Sequence, residues 1–159
     1  MRKEPANRLS RKGLTVWRLY GWLQTGVVLL LAIGVGTLTY LLDWPWWIYI
    51  LAAAAVAIYG WLFIHLFPKI RWSRWRYEVR ETEIELQHGI FIVTRTLIPM
   101  VRVQHVDTAQ GPILKKYDLA AISISSAATV HSIPALATEE ADELRNRISA
   151  LAKVAEDDV

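Results

Sequence analysis

Two apolar runs, broken once, constrain this chain more than any other feature. Leu19 to Leu42 contains no Asp, Glu, Lys, Arg or His, and Trp44 to Phe67 contains only His65. As a helix, a run of this length spans about 36 Å, against about 30 Å for the hydrocarbon core of a bilayer. Lipid offers no partner to a backbone N–H or C=O, so each run must close its own hydrogen bonds as an α-helix. The competing reading is a pair of buried helices in a soluble core, but such helices rarely run so far without a charge. The sequence therefore predicts two transmembrane helices joined at Asp43-Trp44-Pro45-Trp46-Trp47. Pro45 stops the first helix and pushes Trp44 out of the α region. Trp44, Trp46 and Trp47, with Tyr40 and Tyr49, are amphipathic rings suited to the membrane–water boundary. Residues 40–49 read as the tip of a hairpin in the far headgroup layer.

The formal net charge of +3 conceals an asymmetry. Residues 1–18 carry Arg2, Lys3, Arg8, Arg11, Lys12 and Arg18 against Glu4, and residues 69–80 carry Lys69, Arg71, Arg74, Arg76 and Arg80 against Glu78. From Glu81 onward there are seven basic and twelve acidic residues. Basic flanks stay on the cytoplasmic side, so both termini are expected there. The tail before the first run is long and the run exceeds a signal-peptide core, which argues against a cleaved signal. The absence of cysteine excludes disulfides, thiolate metal sites and a cysteine nucleophile. Four segments follow: a basic cytoplasmic tail (1–18), a transmembrane hairpin (19–68), a basic aromatic linker (69–76) and a folded domain (77–155).

In the tail, Ser10 or Asn7 is a candidate cap for a short amphipathic helix, and a disordered tail is the equal alternative. In the hairpin, Gly21, Gly26, Gly34, Gly36, Gly60 and Ala52 to Ala55 let helices approach closely. Packing of the two spans on each other is the first use for them, and a face for another membrane subunit the second. Neither span carries a carboxylate, Lys or Arg, so no proton relay or ion path is expected. Pro68 is expected to end the second helix. Beyond it, Trp72, Arg74, Trp75 and Arg76 interleave indoles with cations, a pattern suited to an anionic headgroup layer. Nucleic-acid binding uses similar chemistry, but a segment this close to a bilayer meets lipid first, so no nucleic-acid partner is expected.

From Arg76 the apolar period changes to two. Residues 76–80, 83–87, 90–98, 101–106, 119–125 and 129–133 read as about six short strands, with turns at 81–83 and His88-Gly89 and with Pro134 closing the last. Thr138 is a candidate N-cap, followed by Glu139, Glu140, Asp142 and Glu143 where the helix dipole favours anions. Ala141, Leu144, Ile148 and Leu151 share one face, and Glu156-Asp157-Asp158 reads as a solvated end. The fold class is α+β with a membrane hairpin: two transmembrane helices, then a small antiparallel barrel capped by a C-terminal helix.

Tyr77-Glu78-Val79, His88-Gly89-Ile90, Ile98-Pro99, residues 102–107 (Arg-Val-Gln-His-Val-Asp), residues 110–113 (Gln-Gly-Pro-Ile) and Asp118-Leu119 occur in an order and spacing that resembles the bacterial pleckstrin-homology domain, or membrane-flanked domain. The whole chain resembles the short YdbS-type membrane proteins of that family. Two turn positions depart from it: Asp118 and Ala128 stand where the family often has Gly. The resemblance implies a seven-stranded PH-like barrel with a C-terminal helix, and it brings no catalytic residue and no defined ligand.

No two of His65, His88, His105 and His131 have metal-ligand spacing, and no cofactor is expected. Ser123, Ser125 and Ser126 with His105 and Asp107 lack a nucleophile elbow. Gly111-Pro112 is isolated and precedes no predicted helix, so no phosphate loop is expected. Glu78, Glu81, Glu83 and Glu85 read as a solvated face. Arg95, Arg102, Lys115 and Lys116 are the candidate surface for a ligand or partner, since classical pleckstrin-homology domains use basic residues at one barrel end; ordinary solubilising charge is the alternative. The function expected is a non-enzymatic, membrane-anchored module that holds a protein partner at the cytoplasmic face, in envelope-stress defence. That partner is another membrane protein, a related PH-domain protein among the candidates. The alternatives are a sensor of anionic lipid headgroups and an accessory subunit of a transport or enzyme complex.

Overall fold

A computed structural model describes residues 4–127 and 129–157. Ala128 and Asp158, named above for a turn and for the acidic end, lie outside the described residues. The chain divides into two compact units: residues 17–70, and the described residues up to Val16 together with those from Arg71 onward.

The first unit is the hairpin. Helix α1 (Arg11–Leu41) supplies its first arm. The second arm comprises α2 (Trp47–Trp61), a π-helical turn over Leu62–Leu66, and α3 (Phe67–Arg74). In the most apolar stretch of each arm only 6% and 11% of residues are buried, unlike the mostly buried core helices of a soluble fold. The turn is set by Asp43, which adopts the left-handed conformation at φ 51°. That conformation lets the Trp44 N–H donate back to the Thr39 carbonyl at 2.9 Å, the Schellman closure of a helix end. Helix does not stop at Pro68, contrary to expectation. A proline ring clashes with the carbonyl four residues back, and the preceding π turn, in which Phe67 N–H reaches the Leu62 carbonyl, widens the backbone there. The small residues serve the packing of one span on the other: a Cβ on Gly21 would lie 2.3 Å from the Phe63 carbonyl oxygen, and one on Gly60 would lie 3.1 Å from Thr25. Gly26 and Gly34 meet nothing within 4 Å.

The second unit holds two antiparallel sheets. One has the order β1 (Asn7–Arg8), β2 (Arg76–Val79), β3 (Glu83–His88), β4 (Thr94–Pro99). The other has the order β5 (Val103–Ala109), β6 (Leu119–Ser126), β7 (Val130–Ala137). A turn of 3-10 helix, Met100–Arg102, joins them. The two sheets are separate ladders, so the domain is built of two sheets rather than one closed ring of strands. Helix α4 (Pro112–Lys116) follows β5, and α5 (Thr138–Asp157) ends the described chain.

Alternation places Tyr77, Ile84, Leu86 and Ile98 of the first sheet and Leu119, Ile122, Ile124, Ile133 and Leu136 of the second in the core. Helix α5 covers β5, β6 and the 3-10 turn, and Ile148 is fully buried beneath it. Leu144, expected alongside it, is only half-buried. The seventh strand comes from the tail: Asn7 pairs with Tyr77 and Arg8 with Arg76. Leu9 and Val16 are buried, and Val16 clusters with Leu119, Ala135, Ile113, Leu114 and Tyr117. Gly13 allows this approach, because a Cβ there would sit 2.7 Å from that of Ala135.

Pro134 does not close β7. The strand runs through it to Ala137, with a register shift between Ala120 and Ile122 of the partner strand and Ala135 at φ 55°. A bulge is where a sheet tolerates a residue without a ladder donor. Asp118 is also left-handed, at φ 54°, a conformation that favours glycine. Gly111 and Pro112 do precede a helix, the single turn α4, with Pro at its first position.

Candidate functional site

The outer face of the β1–β4 sheet carries a polar network built by strand register. Glu85 faces Glu78 on one side and Leu97 on the other, and Gln87 faces Arg76 and Arg95. Of the four carboxylates expected as a solvated face, Glu78, Glu83 and Glu85 converge on Arg80. Glu85 is only 2% exposed. Arg80 bonds Glu78 through two nitrogens at 3.0 and 3.1 Å, Glu83 at 3.2 Å and Glu85 at 3.5 Å. The hydrogen bond to Glu78 is the main cause that pushes the Arg80 guanidinium above its ordinary value. Three carboxylates on one guanidinium leave Arg80 firmly charged, and a buried carboxylate so close to two arginines is a structural ion network rather than an acid–base pair.

Arg95, a candidate for a ligand or partner surface, belongs to the same network. Its Nε donates to Gln87 at 2.9 Å and its Nη1 lies 3.8 Å from Glu85. Arg102 stands apart, exposed beside a shallow cleft of about 380 Å³ lined by Leu97, Pro99, Val101, Gln104 and His131. Lys115 and Lys116 are exposed on α4. Arg95 is paired in the sheet, Arg102 rims the cleft, and the two lysines share a helix.

The linker side chains expected at the membrane interface are largely engaged by the domain. Trp75 is buried, and its indole stacks on His88 with ring centres 5.9 Å apart. The Trp72 indole N–H is shared between the carbonyls of Leu9 and Ser10 at 3.2 and 3.1 Å. Arg76 pairs with Glu4 at 3.0 Å, and Arg74 donates to the Ile90 carbonyl. At the hairpin tip, Trp44, Trp46 and Trp47 are exposed.

The phenol of Tyr77 donates to Glu140, fastening β2 to the first turn of α5. Burial, and then this bond, push the phenol above its ordinary value. The Thr138 hydroxyl accepts from the Gln110 side chain at 3.2 Å, so it ties the β5 end to the start of α5.

One feature escaped the sequence reading. Ile90 to Val93, expected within a strand, form a loop between β3 and β4, and Phe91 and Ile92 at its tip are 85% and 82% exposed. The signal available was an apolar triplet directly after a Gly in turn context.

Apolar helices with exposed flanks, joined to two antiparallel sheets and a terminal helix, define a membrane protein that carries a bacterial PH domain. The chain belongs to that family: the family model described as "Bacterial PH domain" matches residues 13–152. It is 54% identical over 159 residues, the whole of both chains, to UPF0699 transmembrane protein YdbS of Bacillus subtilis (strain 168). It is 26% identical over 100 residues to UPF0699 transmembrane protein YdbT of the same organism, a match covering 59% of this chain and 20% of that one. No solved structure matches the chain.

Proposed function

We propose that the chain is a non-enzymatic, membrane-anchored PH-like module that holds a protein partner at the cytoplasmic face of the cell membrane. In this reading the two sheets act as a small barrel capped by α5, and both termini lie on the domain's side. The observation that carries it is the pairing of Asn7 and Arg8 with Tyr77 and Arg76. Strands that pair share one side of a membrane, which supports two crossings between them, and the basic flanks favour the cytoplasmic side. A domain tied to both ends of its anchor suits a scaffold better than a mobile headgroup probe. The candidate partner is another membrane protein. A related PH-domain membrane protein is among the candidates. The setting proposed for it is envelope-stress defence, in which a module without catalytic residues acts by holding another protein.

A second reading, a sensor of anionic lipid headgroups, is favoured by α4. Its Ile113 and Leu114, with Tyr117, pack with Val16, which lies just before the first apolar run, while Lys115 and Lys116 stay exposed. Purification of the tagged full-length chain from native membranes separates the readings, and that of an accessory subunit with them. A partner-holding module brings down one membrane protein in constant ratio, and the Lys115→Glu, Lys116→Glu double variant keeps it. A chain that purifies alone, and whose enrichment of anionic lipid is lost in the double variant, contradicts the proposal in favour of the sensor. A partner set with transport or catalytic activity favours the accessory subunit.

A further inference from the structure

The loop from Gly89 to Val93 is a shaped apolar projection. Gly89 sits at φ 134°, and a Cβ on it would lie 1.8 Å from the Ile92 carbonyl oxygen, so the backbone folds back on itself there and only glycine permits it. The fold-back presents Phe91, Ile92 and Val93 to solvent at 85%, 82% and 44% exposure. Three consecutive exposed apolar residues are a liability in a soluble hairpin, which takes polar turn residues instead. The base of the loop is fixed. Arg74 donates to the Ile90 carbonyl, and Trp75 stacks on His88. Arg74 is the last residue of the helix that carries the second apolar run, seven residues beyond Phe67.

We propose that this loop is a third membrane contact, with Phe91 and Ile92 inserted into the interfacial layer of the bilayer that holds the helices. The occupant is lipid rather than a protein, because the loop is hydrogen-bonded to Arg74, the last residue of the helix that carries the second apolar run, and the basic residues Lys69, Arg71 and Arg74 follow that run. An aromatic and a β-branched side chain beside cations is the composition that partitions to an interface.

The chain has no cysteine, so single labels report cleanly. Phe91→Cys and, separately, Ile92→Cys in the full-length chain carry an environment-sensitive NBD fluorophore in nanodiscs of mixed zwitterionic and anionic phospholipid, at one chain per disc. Glu81→Cys is the control: it is exposed in the β2–β3 turn, at the far end of β3, about 17 Å away by strand rise. The expected result is blue-shifted emission at both loop sites, strong quenching by lipids bearing a shallow nitroxide, and several-fold less quenching by aqueous iodide than at Glu81. Iodide quenching equal to that at Glu81 overturns the proposal. So does shielding that appears only when several chains share a disc, since a second copy would then be the occupant.

Discussion

Leu30 and Ile148 are both aliphatic residues inside long helices, yet Leu30 is 69% exposed and Ile148 has no exposed surface. The difference runs through the two units. In the hairpin the apolar side chains point outward, because lipid solvates them and the interior contact is made by glycine meeting backbone, as at Gly21 and Phe63. In the domain the apolar side chains point inward, and the outer face of the sheet carries ions, with Glu85 held by Arg80 and Arg95. The same composition is thus turned inside out by a change of solvent. The residues between the two regimes, Leu9 to Val16 and Arg71 to Trp75, follow the domain's rule: Leu9, Val16 and Trp75 are buried.

The largest test of this contrast truncates one residue in each unit. Ile148→Ala removes a fully buried side chain and should cost the domain about 2–5 kcal/mol. Leu30→Ala should leave the domain's unfolding midpoint unchanged, because no domain contact is lost. Urea unfolding of the detergent-solubilised chain, followed by near-ultraviolet circular dichroism, reads both. Equal effects would erase the distinction between the units.

A smaller effect comes from Tyr77, the phenol that joins sheet to helix. Tyr77→Phe removes a hydrogen bond to a carboxylate and should cost about 1.5–3 kcal/mol at neutral pH. The folded phenol titrates above its ordinary value, so the folded state holds its proton after the unfolded chain has lost it. Its stabilisation is therefore fully present below about pH 10 and is lost as pH rises through the folded value. Tyr77→Phe should flatten that alkaline decline. A wild-type chain and a variant that lose stability in parallel above pH 10 would show that the bond to Glu140 is not formed.

The hairpin and six strands are legible in the sequence because each rests on a period: unbroken apolar runs, then alternation from Arg76. What escaped reading rests on contacts remote in sequence or on local backbone geometry. Asn7–Arg8 is too short to alternate, and it is a strand only because Arg76 and Tyr77 pair with it. Pro68 and Pro134 looked like ends and are passed by a π turn and a bulge. Ile90 to Val93 has strand composition, but Gly89 turns it into a loop. Glu85 alternates as an outward residue should; its burial comes from arginines on neighbouring segments. Of the candidate surface, residue types were legible and partners were not. Nothing in Trp72 to Arg76 says that Trp75 turns inward while Arg76 finds Glu4.

In the proposed topology both ends of the hairpin lie on the cytoplasmic side. Single cysteines at Ala6, Trp46 and Ser73, each exposed, test it directly in intact cells with a maleimide that cannot cross the membrane. Trp46→Cys is expected to be labelled from outside, and Ala6→Cys and Ser73→Cys to react only after the membrane is permeabilised. Labelling of Ala6→Cys and Ser73→Cys from opposite sides, or of all three from one side, would contradict it.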